Sequence, residues 1–599
     1  MVKEKWPLFA MGALCLTLLI SHTLYVIKTH QFPAGGLDEP IYLSMALNAY
    51  DSLRNPSLES ISEIINFNRF RQPLYGVFLA IPLLIFGTAY TYKISLWMNI
   101  IFYLTTVIAT YFLGREFLSK RASFLSAFIF AFYGFPLFYL HFTYSETAVT
   151  SFIVLSLFFL AKSKNFSILK NTVLFSIFFA LGNLVRWVVP IFVGGPLVLS
   201  FMLAIARQVS NKTRNIRITG FNVGVFLLIG ILPVLVLFYI PNFSFFSSYI
   251  SAQKEQEVAW ASKWLGPQLG NLFSIQSITF YLKIFAQQTI FFFGIFVLGF
   301  ILGIIFLKRY AFLVVAFVVA YSILTFSTTW KGDRFIVPIY PLMAIISAIT
   351  FDHVWNNRLR GLLIATTLII GSLNFFGATW GIGPMKFSVH GGNFTVPHSI
   401  LIPMPIGHPR RVWLAPISWP PRPNEGNAYE ILKVIGGDWK NQEKPFRLLQ
   451  TFEMNQVGDG LATIFSFEQR EIATGTNIVG IPKERYDIFF ERIRDTDYII
   501  VKDGIIDKGN EEGTDESLDR FFYFVRKFNK AMQLPDGKLP EAFIEVNKVP
   551  IPFDKSTLVI YRKQREITKD EWDKFAELFI LVDPESIGTI NSALGSLTN

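Results

Sequence analysis

Two adjacent carboxylates, Asp38 and Glu39, stand in the stretch Gly35-Gly36-Leu37-Asp38-Glu39-Pro40, just past the end of an apolar run. Acids are poor anchors for a membrane surface. Consecutive side chains leave the backbone in different directions, so one acid can face a reactive pocket while the other is tied to a base or cation. The pair could equally cap a helix over residues 41–53, because acids favour the positive end of a helix dipole. Further along, Asn68-Arg69-Phe70-Arg71-Gln72-Pro73-Leu74-Tyr75 sets two guanidinium groups before a proline-led apolar segment. Arg69 and Arg71 could clamp a phosphate in a forked geometry, or serve as interfacial anchors that reach lipid headgroups.

Three more places carry charge beside apolar sequence: Tyr144-Ser145-Glu146, Arg186, and Trp330-Lys331-Gly332-Asp333-Arg334. Ionisable groups near membrane depth pair or act. The alternative is a set of loop charges, and Lys331 is read that way. Residues 241–277, with Lys254, Glu255, Glu257, Trp260 and Trp264, read as an amphipathic lid or headgroup-facing segment. His22, His30, His141, His390, His398 and His408 lack the close spacing of a zinc site and read as structural. Acidic loops could hold a divalent cation, but no complete ligand set is visible. Neither a phosphate-binding glycine loop nor a G-x-S-x-G elbow occurs in a supporting context, so nothing supports nucleotide-driven pumping.

What must position these residues is a membrane. Of 599 residues, 52% are hydrophobic and only 16% charged, too few for water to be the sole solvent. The single cysteine, Cys15, excludes an intrachain disulfide and a cysteine-based metal site. The net charge of +11 comes with no basic helix or aromatic-interleaved basic patch, which argues against nucleic acid.

Apolar runs cover residues 6–26, 94–113, 122–142, 147–161, 172–185, 187–206, 220–240, 284–307, 310–326, 335–351 and 362–380, about eleven crossings. The first follows Lys3 and Lys5 and has no small-x-small site after it, so it reads as a retained helix, not a signal peptide. With the amino terminus in the cytoplasm, the inward segments carry Lys3/Lys5, Arg115/Lys120/Arg121, Lys162/Lys164/Lys170, Arg207/Lys212/Arg214/Arg217, Lys308/Arg309 and Arg358/Arg360. Residues 73–90 are apolar but short, and Pro82 at their middle is expected to interrupt the helical ladder. Counting them as a crossing would turn the clusters at Arg115 and Arg207 outward, so they are expected to lie as a juxtamembrane or re-entrant helix.

The odd number of crossings places residues 381–599 outside, as an extracytoplasmic α/β domain with a proline-rich lead over 384–423 too broken for regular structure. Strands are expected at 447–452, 498–501, 543–546 and 557–561, and helices at 483–494, 516–532 and 569–581. The last opens on Thr568 and Glu571 at capping-box spacing. The expected architecture is therefore a polytopic α-helical membrane domain, residues 1–380, followed by the α/β domain.

Four of these patterns together resemble the GT-C glycosyltransferases, especially the protein O-mannosyltransferases and the lipid A aminoarabinose transferase. They are Leu37-Asp38-Glu39, Arg71-Gln72-Pro73-Leu74-Tyr75, Tyr144-Ser145-Glu146, and Asp333-Arg334-Phe335-Ile336-Val337-Pro338-Ile339-Tyr340-Pro341, which looks like the family's Arg-aromatic-x-x-Pro-x-x-Pro signature. The resemblance covers roughly the first 380 residues. Gln72 replaces the first proline of the usual pair, and position 146 is Glu where relatives often have Asp. The Trp-Trp-Asp motif of oligosaccharyltransferases is absent, which argues against transfer of a whole glycan to asparagine.

The resemblance implies an integral, multi-pass plasma-membrane enzyme that takes a sugar from a polyprenyl-phosphate carrier and passes it, with inversion, to an extracytoplasmic glycan, lipid or protein. It implies Asp38 as general base, Glu39 and Glu146 as second choices or acceptor-orienting groups, and Arg334, helped by Arg69 or Arg71, at the donor phosphate. A flippase for lipid-linked glycans and a silent glycan sensor are the rival readings. The former would place charges along a transmembrane path and favour an inverted repeat, which the sequence lacks.

Overall fold

The computed structural model describes residues 2–29, 39–69, 71–88, 91–210, 215–245, 247, 272–288, 290–327, 333–354, 356–382, 388–390, 393–395, 421, 428–439, 446–451, 473–478, 481–503, 523–551 and 556–598. Eight helices among them are long and apolar enough to cross a membrane: Trp6–Lys28, Thr91–Arg115, Ser145–Lys162, Val189–Arg207, Arg217–Tyr239, Leu307–Phe326, Arg334–His353 and Asn357–Trp380. A further pair, Lys120–Ala131 and Gly134–Leu140, is bent by 60° at its break, where Tyr133 is extended and Pro136 starts the second piece without an N–H to give. Leu169–Val185 and Phe291–Ile305 are shorter apolar helices. Every apolar run read from the sequence falls on one of these elements. The protein is an integral multi-pass membrane protein, and in hydrocarbon the helix is the element that satisfies its own backbone.

Contacts between helix ends sort the bundle into two faces. At one, Asp352 accepts the Ser119 amide at 2.8 Å and Arg309 donates to the Phe117 carbonyl at 2.9 Å, which gathers the basic stretches around 115–121 and 308–309. At the other, Trp380 donates its indole N–H to Ser21 Oγ at 3.0 Å, and Lys28 sits 5.5 Å over the Trp380 ring. The first and last membrane helices are thereby joined at their ends.

Residues Leu74–Phe86 form a helix of 13 residues. At 1.5 Å per residue this is about 20 Å, short of a hydrocarbon core of about 30 Å. Near its start, the Tyr75 hydroxyl donates to Asn99 at 2.9 Å, early in the helix Thr91–Arg115. The first turn of this short helix is thereby tied to the first half of the next. The expected interruption at Pro82 does not occur: the helix runs on through it, and the cost is confined to one missing N–H.

At the centre lies Tyr340–His353, with Leu342 to Ile346 fully buried. The helix Ile290–Ile305 packs so closely on it that a Cβ at Gly299 would lie 2.1 Å from the Ile346 carbonyl oxygen. Small residues at such crossings let backbones approach where lipid supplies no hydrophobic drive.

After the bundle, β1 (Ser388–His390) pairs antiparallel with β2 (Asn393–Thr395), a short hairpin inside the lead that was expected to lack regular structure. The rest of that lead lies outside the described residues apart from Pro421. The main sheet contains β3 (Phe446–Gln450), β4 (Ala473–Asn477), β5 (Tyr498–Asp503), β6 (Phe543–Ile551) and β7 (Ser556–Lys563), in the order β4-β3-β5-β7-β6. The β4-β3-β5 side is parallel and the β5-β7-β6 side antiparallel, with a bulge between Glu545 and Asn547. Strand alternation splits neighbours between two cores. Leu448, Tyr498 and Ile500 pack with Ile431, Ile435 and Trp439. Leu449, Ile499 and Val501 pack with Phe489, Phe528, Phe575 and Phe579. The capping box at Thr568 and Glu571 is formed.

Candidate active site

Glu39 lies in the first turn of the helix Glu39–Arg54 and is fully buried. Its Oε1 accepts the Thr143 backbone N–H at 2.6 Å. Thr143 belongs to the turn between Gly134–Leu140 and Ser145–Lys162, and the same turn is tied to the helix Thr91–Arg115. Thr143 Oγ1 lies 2.6 Å from Ser95 Oγ, and Asn99 Nδ2 donates to the Phe142 carbonyl. One acid from the early loop and one turn from the middle of the chain are thus held on a common frame.

Two residues after Tyr144, whose side chain gives no cap, Glu146 sits buried in the first turn of its helix, where the dipole favours an anion. Arg186 terminates the helix Leu169–Val185 with an extended backbone and turns its guanidinium onto Glu146 Oε1 as an ion pair. Arg186 Nη1 also reaches Ser145 Oγ at 3.4 Å, and Ser145 Oγ lies 2.8 Å from the Tyr42 hydroxyl. Arg71 stacks 4.8 Å from the centre of the Tyr42 ring. On the other side, the Phe335 ring has Arg186 at 5.7 Å and Arg334 at 5.3 Å.

The structure therefore brings together Glu39, Glu146, Arg71 and Arg334 of the residues singled out by sequence, linked through Tyr42, Ser145 and Phe335. Arg69 stays exposed in its turn and joins none of these contacts among the described residues. Asp38 and its neighbours from His30 lie outside the described residues, as do Trp330, Lys331 and Gly332, most of the lid segment and His398 and His408. Asp38 is nonetheless covalently next to Glu39. Among the described residues no three His, Cys, Asp or Glu side chains gather as a metal site. His22 and His141 stack at 5.6 Å, with Tyr25 3.7 Å from the His141 ring, which is aromatic packing.

Arg186 is the residue whose place in the site the sequence did not reveal. Its signal was present: a lone cation between two apolar runs, which in a membrane needs a partner. Which acid that partner would be, 40 residues away, depends on the packing of Leu169–Val185 against Ser145–Lys162. The arrangement is a wall of guanidinium groups around buried acids at one end of a membrane bundle. It can bind an anion and stabilise charge that grows on it.

No family model matches the sequence, and no curated protein matches it. Solved structures do. The archaeal oligosaccharyltransferase AglB from Archaeoglobus fulgidus, in complex with an inhibitory peptide and a dolichol-phosphate, aligns with a TM-score of 0.52 at 14% identity. The match covers 83% of this chain and 69% of AglB. ArnT from Cupriavidus metallidurans bound to undecaprenyl phosphate aligns with a TM-score of 0.51 at 10% identity, over 93% of this chain and 98% of ArnT. Its apo state gives 0.52 at 11% identity. At such identities the likeness is one of architecture: this chain shares the membrane fold of AglB and ArnT.

Proposed function

We propose that the chain is a glycosyltransferase that moves a sugar from a polyprenyl-phosphate carrier to an extracytoplasmic acceptor. The observation that carries this reading is the meeting of Glu39, Glu146, Arg71, Arg186 and Arg334 at one end of a membrane bundle. A donor with a long lipid tail and a phosphate leaving group needs such a place, half in hydrocarbon and half among cations. The GT-C relatives solved with dolichol-phosphate and undecaprenyl phosphate support the donor class.

In this reading the acceptor oxygen bonds to the anomeric carbon as the bond from that carbon to the phosphate oxygen breaks. The acceptor proton passes to the Asp38 carboxylate, and the phosphate leaves on its lipid with the bonding electrons. Arg334 and Arg71 stabilise the charge gathering on the leaving phosphate, with Arg69 at the rim. Glu39, anchored to Thr143, fixes where the acidic loop begins. Direct attack inverts the anomeric centre.

In this reading the amino terminus lies in the cytoplasm of a plasma-membrane enzyme and residues 381–599 lie outside, where they shape acceptor access without supplying the base; the basic stretches support that orientation. The test is a labelled polyprenyl-phosphate sugar in proteoliposomes containing the full chain. Transfer to an acceptor supports the proposal. Translocation without transfer would make the protein a flippase, and neither would make it a glycan sensor.

A further inference from the structure

Arg186 spends one edge of its guanidinium on protein and keeps another. Nη1 meets both Glu146 Oε1 and Ser145 Oγ. Nε–H and the two hydrogens on Nη2 have no hydrogen-bond partner among the described residues, although the side chain is only 14% exposed. A guanidinium carries five donors in a rigid fork, and the Nε/Nη2 edge is one of the two that can take a phosphate with two parallel bonds. Glu146 is 2% exposed, and its Oε2 likewise lacks a partner among the described residues, so the pair is built into the helix ends rather than left on a surface. The same Phe335 ring also has Arg334 near it, 5.3 Å from its centre against 5.7 Å for Arg186, and Arg334 is the arginine assigned to the donor phosphate.

We propose that Arg186 is a second donor-phosphate ligand, presented by Glu146, which acts as a positioning residue and not as a base. The assignment rests on the reading of the donor as a lipid-linked phosphate. Glu146 holds Nη1 and thereby sets the plane of the guanidinium, so the Nε/Nη2 edge is preorganised before the ligand arrives. Phosphate then gains two charge-assisted bonds from Arg186, with Arg334 beside the same Phe335 ring as a second cation. Glu146 stays paired with Nη1 throughout, so its part is to hold the guanidinium in place.

The probe is undecaprenyl phosphate without sugar, titrated into the full chain in nanodiscs. The bound phosphorus is followed by its nuclear resonance across pH, with inorganic phosphate and phosphatidylglycerol as separate arms. Arg186→Gln is expected to weaken undecaprenyl phosphate binding about 10- to 100-fold, the range for hydrogen bonds to charged groups. It should also raise the second pKa of the bound phosphate, since a neighbouring cation favours the dianion. Arg186→Lys, which keeps the charge and loses the fork, should fall between. Because Arg186→Gln leaves Glu146 buried and unpaired, the double variant Glu146→Gln/Arg186→Gln supplies a neutral pair that can fold, and it should show the same weakening.

Unchanged affinity and unchanged phosphate titration in the folded double variant would overturn the assignment while leaving the donor reading intact. Failure of the unaltered protein to bind undecaprenyl phosphate at all would overturn both. Equal competition by phosphatidylglycerol would place a bilayer headgroup at Arg186 and overturn the assignment as well. Loss of inorganic phosphate binding in step with the lipid would support it, by showing that the contact is to phosphate and not to the chain.

Discussion

Thr143 gives its backbone N–H to the Glu39 carboxylate across 2.6 Å, and this one bond joins the start of the acidic loop's helix to the turn that precedes Glu146. Glu39→Ala should leave a buried amide unsatisfied, at a cost of about 1–3 kcal/mol, and lower the melting temperature. Glu39→Gln keeps an acceptor and should retain most of both stability and transfer. Loss of transfer in Glu39→Gln with an unchanged melting temperature would show that this acid takes part in the chemistry.

Asp38→Asn should abolish transfer with membrane insertion and donor binding intact, because amidation keeps shape and removes the proton acceptor. General-base loss costs about 10²- to 10⁴-fold in rate. Arg334→Ala should differ by weakening donor binding as well as turnover, since its contact exists before and during bond cleavage. Single-turnover rates at saturating donor separate the two. Near-normal turnover in Asp38→Asn would move the base elsewhere.

Gly299→Ala places a methyl group against the Ile346 carbonyl, where neither backbone can yield cheaply. Overpacking of this kind costs about 1–3 kcal/mol. Gly294→Ala, in the same helix with nothing within 4 Å of the added carbon, is the control and should be neutral or better. Thermal unfolding in detergent reads both, and equal effects would refute the close crossing.

In the α/β domain, Arg565 lies 2.7 Å from Glu571 Oε2 and, through that hydrogen bond, holds the carboxyl down to about 2. A depressed carboxyl stabilises the fold fully above its ordinary range near 4.5, and the contribution fades as pH falls toward about 2. Hydrogen exchange over the helix Lys569–Val582 should therefore accelerate between pH 5 and pH 3 beyond the intrinsic rate change, and Arg565→Gln should flatten the difference. An identical profile in the variant would show that Arg565 does not supply the stabilisation.

Labels at Lys212 and Arg358 should report cytoplasm, and those at Ser57 and Gly332 the outside, if the basic stretches orient the bundle. Opposite sides for 57 and 332 would separate Arg334 from the acidic loop and end the proposed site.

The membrane bundle was legible because hydropathy is written residue by residue, and the short length of Leu74–Phe86 was legible with it. Four strands and the Thr568 cap were legible for the same reason. β4 was not: Ala473-Thr474-Gly475-Thr476-Asn477 has no apolar alternation, and it is a strand because β3 offers it a parallel edge. The site was half legible. Residue type marked Glu39, Glu146, Arg71 and Arg334, but the links through Tyr42, Ser145, Arg186 and Phe335 are tertiary, and a lone tyrosine or phenylalanine in a chain with 22 and 63 of them carries no mark of its own.

The bond from Trp380 to Ser21, with Lys28 over the same indole, gives the first and last membrane helices a common pivot. The chain leaves the last helix at Gly381 in a left-handed turn, φ 65°, directly beside the point where the first helix ends. A pull on the C-terminal region is consequently borne by the first helix as well as the last. The first and last spans share a single post.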